Sequence, residues 1–211
     1  MANEPSKSDF DDRILMLESE LNALRKSEDI SDVLLSIARA VSTATTLNEF
    51  YWTIHNALKS VVYVKNFAIG LIDEKKDLIY FPYIHDETNS FYQIRNISNP
   101  KTQGLAVSVI RCGKPLYVTR DDIKKKQLPY QGLLAGVWIG TPLFVREKVI
   151  GLMVVQDYSE VPQLSPDDVA IMVTVSDQVA LAIERKMNEE ALHESESKYR
   201  DILDNIIEGY Y

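Results

Sequence analysis

The sequence predicts an α+β fold: a central antiparallel β-sheet flanked by helices, with extended coiled-coil-type helices at both ends. Three observations carry this. Short runs rich in β-branched and aromatic residues come in pairs joined by polar turns, "FAIGLID" and "LIYFPYI" around "EKKD", "VWIGTPLFV" and "VIGLMVVQDY" around "REK". Helix-period apolar stripes precede and follow these pairs. The strands are adjacent in sequence rather than alternating with helices, which disfavours a βαβ arrangement.

From the N-terminus, Phe10, Ile14, Leu17, Leu21 and Leu24 recur at alternating spacings of four and three, a heptad seam with charged residues on the other faces. The next apolar set, Ile30, Val33, Leu34, Ile37, Ala38 and Val41, is out of register with it. A break is therefore predicted near "SEDISD", with Ser27 or Ser31 capping a new helix. This separates residues 1–29, coiled-coil-like, from a domain over 30–187. "TTLNEF" starts the following helix, with Thr46 and Glu49 spaced as a capping box. Its apolar face runs through Leu47, Phe50, Tyr51, Ile54 and Leu58 to about Ser60.

In the first strand pair, Pro82 predicts an edge or a bulge, since proline cannot donate to a ladder. Residues 86–102 read as a long polar loop. "GLAVSVIRCG" reads as a short helix closed by Gly113, "KPLYV" as a strand, and 119–136 as a second loop holding Lys124, Lys125 and Lys126. The second strand pair is apolar enough to be central in the sheet. "SPDD" opens the last helix, with Ser165 at the N-cap, Pro166 at N1 and Asp167 and Asp168 against the dipole. Its face comprises Val169, Met172, Val175, Val179 and Ile183, and nothing breaks it before Gly209.

Composition narrows the function. Hydrophobic residues make up 45% of the 211 and charged residues 26%, ordinary values for a globular protein. A net charge of -8 disfavours nucleic acid, which needs clustered cations. No run approaches a membrane span, and the polar start is no signal peptide, so a cytoplasmic location without membrane contact is expected, with any anchor elsewhere in a longer parent. One cysteine, Cys112, excludes an internal disulfide and a cysteine-based metal cage; at a helix end it reads as a buried structural thiol. No phosphate-binding glycine motif, nucleophile elbow or paired metal ligand is found. His85 follows Phe81 and Tyr83 on one strand and is the histidine placed best to face a pocket. His55 reads as a helix-margin residue, and His193 as exposed. No catalytic residue is assigned.

The stretches "LLSIARAVSTATTLNEFYWTIHNAL", "NFAIGLID", "GLAVSVIRCGKPLYV", "WIGTPLFVREKVIGLMVVQ" and "LSPDDVAIMVTVSDQVALAIERKMNEEAL" resemble a GAF domain, a regulatory sensor module of bacterial signalling proteins. "ESESKYRDILDNIIEGYY" resembles the start of a PAS domain, so residues 188–198 read as a signalling-helix linker and 199–211 as the opening of that next domain in a longer protein. The GAF resemblance implies a pocket covered by the short helix and the two loops. Tyr83, His85, Val109, Tyr130, Gln131 and Trp138 are the candidate lining. The cyclic-nucleotide pattern and the bilin-attachment context are absent, and a cysteine-based methionine sulfoxide reductase would need more cysteines. The ligand is left as an unknown small molecule, or none.

The implied function is dimeric signal relay. Ile14, Leu17, Leu21, Leu24, Val179, Ile183 and Met187 are the candidate dimer and signalling-helix residues of a homodimer. Its parent is read as a two-component sensor histidine kinase working by phosphorelay, the alternative parent as a diguanylate cyclase. A ligand-free dimerisation scaffold is a second reading, and a small-molecule enzyme on the same fold a third.

Overall fold

The computed structural model describes residues 7–88, 94–130 and 132–208. Its strands form one antiparallel sheet in the order β3-β2-β1-β6-β5-β4. The two predicted hairpins are β1 (Asn66–Asp73) with β2 (Leu78–His85), and β5 (Val137–Val145) with β6 (Lys148–Asp157). They join through β1 and β6, from Asn66 opposite Gln156 to Leu71 opposite Gly151. Both strands are apolar on both faces, which suits the middle of a sheet covered on each side. β4 (Leu116–Thr119) closes one edge and the two-residue β3 (Ile94–Arg95) the other.

Three helices cover one face: α1 (Lys7–Thr43), α2 (Leu47–Leu58) and α5 (Asp168–Glu208). Between them and the sheet lies the larger core, including Val33, Ile37, Phe50, Ile54, Phe67, Ile139, Met153, Met172, Val175 and Val179. The other face carries α3 (Leu105–Cys112) and α4 (Arg120–Lys125) over a smaller core of Ile79, Leu105, Val107, Val109, Ile123, Trp138, Leu152 and Val154. Gly113 ends α3 in the left-handed conformation at φ 58°, as its sequence position predicts.

Four local expectations change. α1 is one uninterrupted helix, because Ser31 returns its hydroxyl to Ser27 O at 2.9 Å instead of capping a new start. At α2, Thr46 Oγ1 accepts from Glu49 N, but Glu49 reaches back one residue further, to Thr45 N at 2.9 Å and Thr45 Oγ1 at 2.7 Å. The 119–136 loop contains α4, started by a complete capping box between Thr119 and Asp122, so the lysine run ends a helix. The 86–102 loop contains β3, and its 96–102 part is held by Arg111, which donates to Thr102 O and Ile97 O at 2.8 Å each.

The relative direction of α1 and α5 follows from contacts at one end. Lys186 Nζ donates to Ala44 O at 2.7 Å, and Leu47 N donates to Glu190 Oε1 at 3.2 Å. Residues 12–29 of α1 and nearly all described side chains of α5 between 191 and 200 are exposed, so the packed parts of α1 (about 30–44) and α5 (about 171–187) run parallel. Their free ends leave the domain in opposite directions.

Candidate functional site

Strand alternation would place Phe81, Tyr83 and His85 on one face. The structure separates them with a bulge. Leu71 pairs with Tyr80 and Ile69 with Tyr83, so Phe81 and Pro82 together oppose Gly70. Gly70 gives the room: a Cβ there would lie 2.8 Å from Phe81 and 2.8 Å from Leu152. Pro82 fits the bulge, where no ladder donor is required. Phe81 packs against the smaller core, while Tyr83 packs against the helix-side core. The expectation of one pocket shared by Tyr83, His85, Val109 and Trp138 is therefore corrected. The first two belong to one face and the last two to the other.

His55 is the centre of the helix-side group, and it is buried rather than marginal, at 2% exposure. Its Nε2 lies 2.9 Å from Val64 O and its Nδ1 2.7 Å from the Tyr83 hydroxyl. A carbonyl only accepts, so Nε2 carries the hydrogen and Tyr83 donates to Nδ1, which fixes the neutral tautomer. Phe67 stacks on the ring with centroids 5.3 Å apart, and the His85 ring approaches to 4.7 Å. Burial, opposed by the bond to Val64 and reinforced by the neighbouring His85, lowers the His55 pKa to about 4. Sequence reasoning missed this group. Its one signal was a histidine one position from Ile54 on the apolar stripe of α2.

On the opposite face Val109 and Trp138 are core residues, at 1% and 4% exposure. The Trp138 indole lies over Gly140, where a Cβ would come within 2.2 Å of the ring. Tyr130 caps this core, its hydroxyl 2.9 Å from both Leu133 O and Gln156 Oε1 and accepting from Ala135 N at 3.3 Å. Burial pushes the Tyr130 phenol up to about 12. Gln131 lies outside the described residues. Val109 and Trp138, expected to line a pocket, are packed into the smaller core.

A polar rim closes the same end of the sheet. The Asp86 carboxylate accepts from Tyr158 at 2.9 Å and from Thr88 N at 2.8 Å. Arg120 donates to Tyr158 O at 3.2 Å, and buried Asn66 bonds both Gln156 O and Glu87 N. Cys112 is exposed rather than buried. The face of α3 that packs runs through Val107, Val109 and Ile110, and Cys112 lies away from it.

An open cleft lies elsewhere. A cleft of about 860 Å³ sits at the opposite end of the sheet, where the β1–β2 and β5–β6 turns meet α5. Leu71, Tyr80, Val149 and Ile150 form its apolar part, and Lys76, Glu184, Met187 and Asn188 contribute polar and flexible groups. Met187 is partly exposed there, at 39%. Val179 and Ile183 are fully buried in the helix-side core. Their side chains are already spent within the chain, so they are corrected from dimer contacts to core residues. Ile14, Leu17, Leu21 and Leu24 are exposed on α1. His193 is exposed on α5, as its sequence context predicts.

A family model described as GAF domain matches residues 44–184. The chain belongs to the GAF domain family. GAF domains are regulatory sensing modules, and the match brings no catalytic family with it. Among solved structures, this GAF domain is similar to the GAF domain of Acinetobacter phosphoenolpyruvate-protein phosphotransferase, with TM-score 0.61 and 19% identity over 77% of this chain and 97% of that one. It is also similar to free methionine-R-sulfoxide reductase from Neisseria meningitidis, solved with its substrate (TM-score 0.60, 15% identity, 76% and 91% covered). A third is the GAF domain of a two-component sensor histidine kinase from Bacillus halodurans (TM-score 0.52, 17% identity, 71% and 99% covered). At these identities the shared property is the fold. No curated protein matches the chain by sequence. Among the described residues, no helix is long and apolar enough to cross a membrane, and no cluster of potential metal ligands occurs.

Proposed function

We propose that this GAF domain is a dimeric signal-sensing module that passes a conformational change along α1 and α5 to a downstream domain. One observation carries the reading: the apolar seam of α1 leaves the domain without an intramolecular partner among the described residues, with Ile14 53%, Leu17 55%, Leu21 47% and Leu24 69% exposed. Covering such a stripe is worth about 25 cal/mol per Å² of apolar area, and a partner helix is the ordinary way to do it. The cleft beside Glu184, Met187 and Asn188 supports sensing, since a small molecule there would touch α5 where it leaves the sheet. A ligand that fits one packing of α5 better than another shifts the balance between them.

The test is sedimentation of the chain against a Leu17→Glu/Leu24→Glu variant. A dimer that becomes a folded monomer on substitution supports the reading; a wild-type chain that is monomeric at high micromolar concentration removes it. The proposed parent is a sensor histidine kinase, resting on the uninterrupted helix that continues past the sheet to Glu208, and 199–211 is proposed as the entry to a PAS domain. Acid-labile phosphorylation of the whole protein from ATP would support that parent. Formation of a cyclic dinucleotide from GTP would instead indicate the cyclase. The packing of Trp138 and Val109 into the smaller core favours a second reading, a dimerisation scaffold without a ligand on that face.

A further inference from the structure

The dimeric reading leaves open which way the second helix runs, and the charges flanking the α1 seam decide it. We infer that residues 13–25 of α1 pair with the same residues of a second copy as a parallel, in-register two-stranded coiled coil. The inference rests on the dimeric reading above and adds direction and register to it.

The spacing assigns Ile14 and Leu21 to heptad position a, and Phe10, Leu17 and Leu24 to position d. A β-branched residue at a with leucine at d favours two strands. In a parallel, in-register pair each seam residue from Ile14 to Leu24 meets its own counterpart, so these layers are all apolar. The residues flanking the seam are Arg13 and Glu20 at g, and Glu18 and Arg25 at e, all four exposed. Parallel pairing sets g of one helix beside e of the next heptad on the other. Arg13 then faces the second copy's Glu18, and Glu20 faces the second copy's Arg25, with both contacts repeated by symmetry. Every charged pair so formed is attractive.

Antiparallel pairing sets e beside e and g beside g. With the seams centred on each other, Glu18 and Glu20 each face their own kind. Sliding by one heptad carries Leu24 past the seam in one sense and sets Leu17 opposite Glu28 in the other. The centred register sets like charges together and the slid ones uncover part of the seam, whereas the parallel one does neither between residues 13 and 25.

The fold leaves room for this geometry. At roughly 100° per residue, the seam lies about half a turn around α1 from Val33, Ile37 and Ala40, which pack on the chain's own core. Two domains would therefore sit outside a central helix pair. Because α1 has no break, the same spacing continues through Glu28 and Ser31 to Leu35, which is 48% exposed on the body of the domain. Glu28 would face its own copy, which bounds the apolar coil on that side.

Cysteine cross-linking tests the register. In a Cys112→Ser background, Ile14→Cys and Leu24→Cys are made separately and equilibrated in a glutathione redox buffer. Both variants are expected to form disulfide-linked dimers with themselves. An antiparallel pair can bring at most one of these positions onto the axis. Linkage at only one, or preferential linkage between the two variants on mixing, would overturn the inference while leaving the dimer intact. A chain that sediments as a monomer would remove the dimer and the register together. As an independent arm, Arg13→Glu/Arg25→Glu should raise the dimer dissociation constant at least tenfold. Mixing with Glu18→Arg/Glu20→Arg should restore the affinity, and failure to restore it would overturn the charge argument.

Discussion

Tyr83 and His55 are joined across the sheet–helix interface by a 2.7 Å hydrogen bond whose direction is set from the far side of the imidazole, where Val64 O accepts from Nε2. The bond depends on the bulge opposite Gly70, which turns Tyr83 towards α2. It depends equally on His55 being neutral, and that gives the first prediction.

Because the His55 pKa is lowered to about 4 in the folded chain, from an ordinary 6.5, the unfolded chain binds the extra proton first. Stability from this group is full above pH 6.5, falls as the pH drops towards about 4, and changes no further below it. The full loss is on the order of 2–3 kcal/mol. Urea unfolding from pH 7 to 4.5 measures it, and a His55→Gln variant should show a flatter profile. Tyr83→Phe should cost about 1–2 kcal/mol at pH 7, since it leaves Nδ1 without its donor.

Lys186 is a tie between the two long helices. Its amine is 9% exposed as a residue, donates to Ala44 O at 2.7 Å and lies 3.5 Å from Glu189. Lys186→Met keeps the stem but removes the donor, leaving the end of α1 unsatisfied at a cost of about 1–3 kcal/mol. Hydrogen exchange should show faster opening at Ala44–Leu47 than in the wild type, with the sheet amides unchanged.

Val179 and Ile183 separate folding from assembly. Ile183→Ala should destabilise the chain by about 2–5 kcal/mol, because it leaves a cavity in a filled core. Leu17→Ala should stay within about 0.5 kcal/mol in monomer unfolding and, under the proposed dimer, act only on association. Denaturation at two protein concentrations distinguishes them: the second effect depends on concentration and the first does not.

Trp138 and Gly140 offer an optical test. Gly140→Ala places a methyl where the indole lies, so the ring must move, at about 1–3 kcal/mol. Trp138 is buried and Trp52 is 61% exposed. Emission from a Trp52→Phe background should therefore be blue, and should shift to the red when Gly140→Ala is added.

Where a local signal existed, the sequence was a sufficient guide. Gly113 stops α3 and "REK" turns β5 into β6 by chemistry that needs no distant partner. Phe50, Ile54 and Leu58 mark the buried side of α2 by periodicity alone. The bulge could not be read this way. Pro82 announced it, but which residues changed face depended on the side-chain space at Gly70 and the pairing with β1. β3 is too short for any pattern. α4 was hidden inside a stretch that looked like a loop, although Thr119 and Asp122 carry the capping spacing. Ser27 and Ser31 misled in the opposite sense: they suit a cap, but a serine within a helix can also bond back to its own preceding turn. For the candidate site, Val109 and Trp138 read as pocket lining and prove to be core, and their separation from Tyr83 and His85 depended on the bulge.

The parallel course of α1 and α5 has a mechanical consequence. Packed from about residues 30–44 against 171–187, they form a splice, and their free arms extend the same axis both ways. At about 1.5 Å per residue, Lys7 and Glu208 stand on the order of 90 Å apart. Bodies attached to the two arms would be out of each other's reach, so nothing could pass between them by touch. Under the relay proposed above, a message would travel as torsion or sliding in the splice, and the domain would act less as a platform than as a coupling in a drive shaft.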